Sequence, residues 1–338
     1  MATQNRKRNV QQHFVTASYL AGFTPDGNRN SQLYIYERNG ERIFRAIPDE
    51  VAKRRNYYSI PMKSGEFDDR VDVMITALEG QAMPSLKKLI ARDYQLVVFE
   101  RALLAHLIAF QEFRTPWARE NFQKIQLRIT EQQMKVAANA PGYFERLFEQ
   151  LKAEGKLEAS ATPDGVRDAL RNDRIRLKAN PHAGIDTMVS TAQAIGNIYV
   201  QMRWVVLHSK GQDFLTSDTP VIRRNPGYSG GVYGGGLFAP AAEVWFPLSK
   251  RACLLICHDR EMKKQFWELV EAGKMIEANA LGDQLPPIVG SEVSGPLVSA
   301  LNSETILNAD RFIYSPFASE QVQKQFKGES NNVRVTIS

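Results

Sequence analysis

The chain has 338 residues, 43% of them hydrophobic and 24% charged, with a formal net charge of +6. These values exclude a disordered chain, and the length is enough to bury a substantial core without disulfides or structural metals. No run of 18 apolar residues occurs and the N-terminus lacks an apolar signal-like stretch, so no membrane span is expected and a cytoplasmic location follows by default. The basic excess gathers at Arg6-Lys7-Arg8, Lys53-Arg54-Arg55, Arg174 to Lys178 and Arg223-Arg224. Such clusters either contact phosphates or form solvated surface.

Residues 1–60 read as loop and strand. Leu33 to Tyr36 and Ile43 to Ile47 are β-rich runs around Asn39-Gly40, a hairpin signal because Gly tolerates the positive φ of a tight turn. Residues 70–208 read as mainly helical. Val71, Met74, Leu78, Met83, Leu86 and Leu89 recur at helical spacing, and Leu96 to Phe113 is apolar on most faces, as a buried helix would be. Pro116 lacks an amide and should kink or break the helix there. A shorter helix follows at "PGYFERLFEQLKAEGK". Asn180 and Pro181 have N-cap and first-turn chemistry for a helix whose stripe is Ile185, Met188, Ala192, Ile195, Tyr199 and Met202.

Beyond Met202 the period shifts to that of strands: "RWVVLHS", "DFLTSD", "EVWFPL" and "ACLLICH". The Gly-rich "NPGYSGGVYGGG" between the second and third is expected to be a mobile loop, and it is not a phosphate-binding loop because no Gly-Lys-Ser/Thr follows. The cysteines are Cys253 and Cys257. Four residues apart on a strand they stand roughly 13 Å from each other, too far for a disulfide. "REMKKQFWELVEAGK" reads as a helix, "SGPLVSALNSETILNA" as a helix with a break, "DRFIYSPF" as a last strand, and the polar tail 319–338 as frayed. The resulting fold is α+β, a helical middle region flanked by an N-terminal hairpin and a C-terminal, mostly antiparallel sheet. It forms a single domain over 1–318, divided into 1–60, 70–208 and 203–318.

Four segments in this order, "QHFVTASYLAGF", "LYIYERNGERIFRAIPDEVAKRRNYYSI", "FQEFRTPWAR" and "FLTSDTPV", together with "LNADRFIYSP", resemble the family known as domain of unknown function 4238. The resemblance covers residues 11–317. Thr16 stands where the family usually has proline, and Thr219 where it usually has asparagine. The resemblance implies positions of interest and no mechanism.

Several polar residues fall at the margins of apolar elements. His13 precedes an apolar segment and suits a neutral general base. Arg114 and Gln111 share a helical face beside Pro116. A buried arginine there needs an acid or an anionic ligand, with Asp218 or Glu79 the protein candidates. Ser217 and Asp218 end an apolar strand, where they form either a turn or the lip of a site. Asn308, Asp310 and Arg311 precede the last strand. His182 and Asp186 lie one helical turn apart but lack further ligands, so no metal set is identifiable. His106 reads as core, and His208 and His258 as strand ends. No dinucleotide fingerprint, zinc-protease or hydrolase-elbow motif occurs, and no cofactor is identifiable.

Two functions fit. One is a hydrolase or nuclease-like enzyme acting on a phosphate-containing substrate. In it His13 is the base, Arg114 the charge stabiliser and Asp218 the orienter of His13 or a metal ligand, with Gln111, Ser217 and Arg311 holding substrate. The other is a non-catalytic nucleic-acid-binding protein that uses its basic clusters. The first requires His13, Arg114 and Asp218 to converge, the second requires the clusters to share a face.

Overall fold

The computed structural model describes residues 10–40, 42–140, 142–172, 174, 184–226, 236–282 and 284–328. In the N-terminal stretch are β1 (Gln11–His13), α1 (Ala17–Leu20), β2 (Leu33–Glu37), β3 (Ile43–Ala46), β4 (Lys53–Arg55), β5 (Ile60–Pro61) and β6 (Phe67–Asp68). The expected hairpin forms, with Ile35 opposite Phe44 and Tyr36 opposite Ile43. Helices α2 (Arg70–Ile90), α3 (Val98–Phe113), α4 (Pro116–Ala138), α5 (Tyr143–Ala153), α6 (Pro163–Arg171) and α7 (Ile185–Gln201) follow. The C-terminal stretch holds β7 (Arg203–Ser209), β8 (Thr216–Ser217), β9 (Ile222–Arg224), β10 (Glu243–Ser249), β11 (Ala252–Cys257), α8 (Arg260–Glu271), α9 (Met275–Gly282), β12 (Ile288–Val293), α10 (Gly295–Asn308), β13 (Phe312–Ser315) and α11 (Glu320–Gly328). The fold is α+β, as the period changes along the chain require.

By packing, the chain falls into two compact units, residues 1–116 with 188–338, and residues 117–187. The first is built on a five-stranded sheet ordered β12-β7-β11-β10-β9. Strand alternation decides its two faces. Ala252, Leu254 and Ile256 of β11 join Leu104 and Ile108 of α3 and Leu86 of α2 in the main core, while Cys253 joins Val298 and Leu301 of α10 on the reverse face. Each such fully buried aliphatic side chain contributes roughly 1.5–3 kcal/mol. Cys253 and Cys257 are both free thiols on one strand, as expected. A second sheet, β3-β2-β13-β8, joins the N-terminal hairpin to the last strand.

Pro116 divides two helices, as its chemistry demands. Helix α3 ends with Arg114 as its C-cap, and Pro116 opens α4, where a missing amide costs nothing. In the smaller unit, Thr162 caps α6 by accepting the Gly165 amide at 3.2 Å. Ala138, Phe144 and Leu170 form its core, and Arg167 lies over the Phe144 ring while bridging Glu145 and Asp164.

Three expectations need correction. The tail is not frayed at its start: residues 320–328 form α11, with Phe326 fully buried beneath the Arg38 guanidinium. The run 295–308 is one unbroken helix. The strand expected at Phe214 is only Thr216–Ser217, although Phe214 and Leu215 are buried. The expected helix start at Asn180-Pro181, residue His182 and most of the Gly-rich stretch, 227–235, lie outside the described residues.

Candidate active site

Helix α2 displays Asp72, Thr76, Glu79 and Met83 at steps of four, three and four, which puts them on one face. That face, with His13, Thr16, Arg29 and Tyr58, lines a cleft of about 370 Å³. Helix α2 also contains Pro84. Proline has no amide to give the carbonyl four residues back, which is that of Gly80, another residue lining the cleft.

His13 is delivered by β1. Its strand pairs with β4, placing His13 opposite Lys53. The ribbon is pinned by the Gln12 side chain, which donates to Ser59 Oγ at 2.9 Å and accepts the Tyr58 amide at 2.6 Å. Two non-glycine residues at positive φ, Ala52 and Asn56, flank β4. Strain of this kind persists where the surroundings over-determine it. The Nε2 atom of His13 is buried and makes no hydrogen bond among the described residues. Burial, then the Lys53 charge, holds the imidazole below its ordinary pKa, against the pull of Asp49 and Glu79, so it is neutral at pH 7.

Behind the cleft wall lies a fixed network. Arg114, 0% exposed, donates from Nη1 to Glu79 Oε1 at 2.6 Å and from Nη2 to Gln111 Oε1 at 2.5 Å. Burial opposes the guanidinium charge, but the Glu79 carboxylate, together with Tyr58 and Tyr57, outweighs it and holds the pKa above the usual arginine value. Gln111 Nε2 donates to the Phe14 carbonyl at 2.7 Å, and Thr16 Oγ1 donates to Glu79 Oε2 at 3.1 Å. Arg114 and Gln111 therefore fix both Glu79 and the backbone next to His13.

Asp72 differs from Glu79. Burial, then the charge of Asp69, pushes its carboxyl up to about 6, and a hydrogen bond from Gln12 pulls the other way. No described Lys or Arg lies within ion-pair distance of it. On the rim, Arg29 is paired bidentately with Asp49.

The three expected catalytic residues do not converge. Arg114 pairs with Glu79, not Asp218. Asp218, 3% exposed, accepts the backbone amides of Asp310 at 2.8 Å, Arg311 at 2.7 Å and Phe312 at 3.1 Å, which holds the entry to β13. Burial, then Asp310, pushes its carboxyl up to about 6, and the three amides pull it back. Ser217 Oγ accepts the Thr219 amide at 3.1 Å, and Thr219 Oγ1 donates to the Asn308 carbonyl. "TSDTP" is thus a buried turn that holds the last strand. The residues expected to hold substrate also lie apart: Gln111 and Ser217 are buried, and Arg311 is bridged to Glu37 at 2.7 Å. His106 Nδ1 donates to Ala102 O, His208 meets Tyr94 Oη at 3.0 Å, and His258 Nε2 donates to Leu237 O, all structural contacts.

Among the described residues no group of three or more His, Cys, Asp or Glu side chains could hold a metal ion, and no helix is long and apolar enough to cross a membrane. Of the basic clusters, Arg174 is bridged to Asp168, Arg223 to Glu112 and Arg224 to Glu304. Residues 6–8 and 175–178 lie outside the described residues.

The fold is α+β, and its cleft is lined by a neutral, partly buried histidine and by two carboxylates, Asp72 and Glu79. The family model described as "Protein of unknown function (DUF4238)" matches residues 11–317, and the chain belongs to that family. Neither the curated proteins nor the solved structures give a match.

Proposed function

We propose that this protein is a hydrolase whose active site is the cleft along α2, with His13 as general base. One observation carries the reading: His13 lines a cavity of small-molecule size together with Asp72 and Glu79, and its buried Nε2 has no hydrogen-bond partner among the described residues. In the step proposed, the imidazole turns Nε2 to the cleft, where it takes a proton from a water molecule. The resulting hydroxide adds to the electrophilic centre of the scissile bond, and the imidazolium returns the proton to the departing group. Glu79 favours the imidazolium as it forms, since its charge raises the His13 pKa. Arg114 and Gln111 are positioning residues, because they touch Glu79 and the Phe14 carbonyl and are themselves buried.

A phosphate-bearing substrate, which the basic clusters suggested, has weaker support. Its expected cation, Arg114, is occupied by Glu79, and the cleft presents two carboxylates where phosphate oxygens would sit. A nucleic-acid partner has less still, because Arg223 and Arg224 are neutralised by glutamates.

The test is a panel of chromogenic carboxylic esters, aminoacyl anilides, phosphomonoesters and phosphodiesters given to the wild-type chain and to His13→Ala. The expected result is turnover of at least one class, falling about 10²–10⁴-fold in the variant, as loss of a general base predicts. No turnover of any class, or full turnover by His13→Ala, contradicts the reading.

A further inference from the structure

The charges lining the cleft do not balance locally. Arg29 is matched by Asp49, and Glu79 by Arg114. Asp72 remains, with no described basic side chain in ion-pair range. The charged groups acting on it are Asp69 and Glu79 from its own helix, which repel its charge, and the buried Arg114 from α3. Gln12 from β1 supplies a neutral hydrogen bond. A half-buried carboxylate near a second one is disfavoured in its charged form, and either a proton or a cation relieves it. The rest of the lining includes the Thr76 hydroxyl, which can accept a hydrogen bond. Ile75 and Met83 add apolar wall. A divalent ion is a poor fit, since no described cluster supplies three His, Cys, Asp or Glu ligands.

We propose that the cleft binds a small organic cation, an ammonium or guanidinium group on a short apolar stem, with Asp72 as its counter-ion. This deepens the hydrolase reading and rests on it for the bond that is broken: the cation seats on Asp72, the stem lies along Ile75 and Met83, and the scissile bond faces His13. The substrate class is therefore an ester or amide with an arginine-like or lysine-like group.

The test uses the full chain with agmatine as the probe, followed by calorimetry, with inorganic phosphate and magnesium as competitors. Saturable agmatine binding is expected, unaffected by either competitor. It should weaken about ten- to hundredfold in Asp72→Asn, as expected for loss of a charged hydrogen-bond partner, and be largely retained in Asp72→Glu. The proposal is overturned by absence of saturable binding to wild type, by equal binding to Asp72→Asn, or by phosphate binding that Asp72→Asn strengthens. Displacement of agmatine by magnesium would mean a metal site and overturns it too. If Asp72→Asn does not fold, the wild-type titration and its competitors still decide. The substrate panel with His13→Ala is a separate readout: agmatine binding can fail while hydrolysis survives, and hydrolysis can fail while agmatine binds.

Discussion

Asp218 and His13 sit at similar chain margins and do opposite things. Three amides converge on the buried Asp218 carboxylate, so Asp218→Ala orphans three part-buried donors at once. A loss of about 3–5 kcal/mol in chemical denaturation is expected, and a loss under ~1 kcal/mol would mean the β13 entry is held by other contacts. His13 has the reverse condition, an acceptor with nothing to accept. Its pKa is lowered, so the neutral form is favoured in the folded state. The stability this contributes is present above the unfolded value of 6.5 and is lost as pH falls through the lower folded value. In a proton NMR titration, the His13 ring resonance should therefore titrate below 6.5, and titration at or above 6.5 would contradict the burial argument. His13 was legible in the sequence because a histidine beside an apolar run needs a reason. Asp72 was not. It lies in the polar phase of an amphipathic helix, where carboxylates are ordinary, and only the tertiary approach of β1 makes it part of a cleft. The available signal was Asp72, Thr76 and Glu79 on one face, followed by Gly80 and Pro84 inside a helical pattern.

Helix packing turns on two glycines with opposite surroundings. A Cβ on Gly196 of α7 would lie 2.7 Å from His106 Cδ2 and 3.1 Å from His106 Cα, so α3 and α7 touch there at backbone distance. A Cβ on Gly80 meets nothing within 4 Å. Gly196→Ala should lower stability by about 1–3 kcal/mol through forced separation of the helices. Gly80→Ala should raise it by up to about 1 kcal/mol, because alanine is the better helix former. Thermal melts with the same sign for both would show that α3 and α7 are not in close register. The helices and antiparallel strands were legible from their periods of 3.6 and 2. Strand β12 was not, since "IVGSEV" carries a glycine and two polar residues. Its Gly290 is needed because a Cβ there would lie 1.9 Å from Tyr94 Oη. Helix α11 was missed because Phe326 is a lone large apolar residue in a polar run, and its burial beneath Arg38 is a tertiary event.

In the larger unit, the proposed site is the cleft lined by His13 of the N-terminal ribbon and by one face of α2. The family resemblance followed the segments "QHFVTASYLAGF" and "FQEFRTPWAR". The structure gives these two a shared physical role, since Gln111 and Arg114 of the second hold Phe14 and, through Glu79, Thr16 of the first. The segment "FLTSDTPV" holds the last strand instead. Similar polar residues at element ends thus divide into a site and a staple, and only contact geometry separates them. The central claim is that His13 is the working base of this cleft, and the pH dependence of kcat/KM tests it most directly. On whichever ester or amide is turned over, kcat/KM should rise with pH through the lowered pKa that NMR assigns to His13, level off above it, and lose that inflection in His13→Ala. A profile with the same inflection in both proteins would contradict the claim.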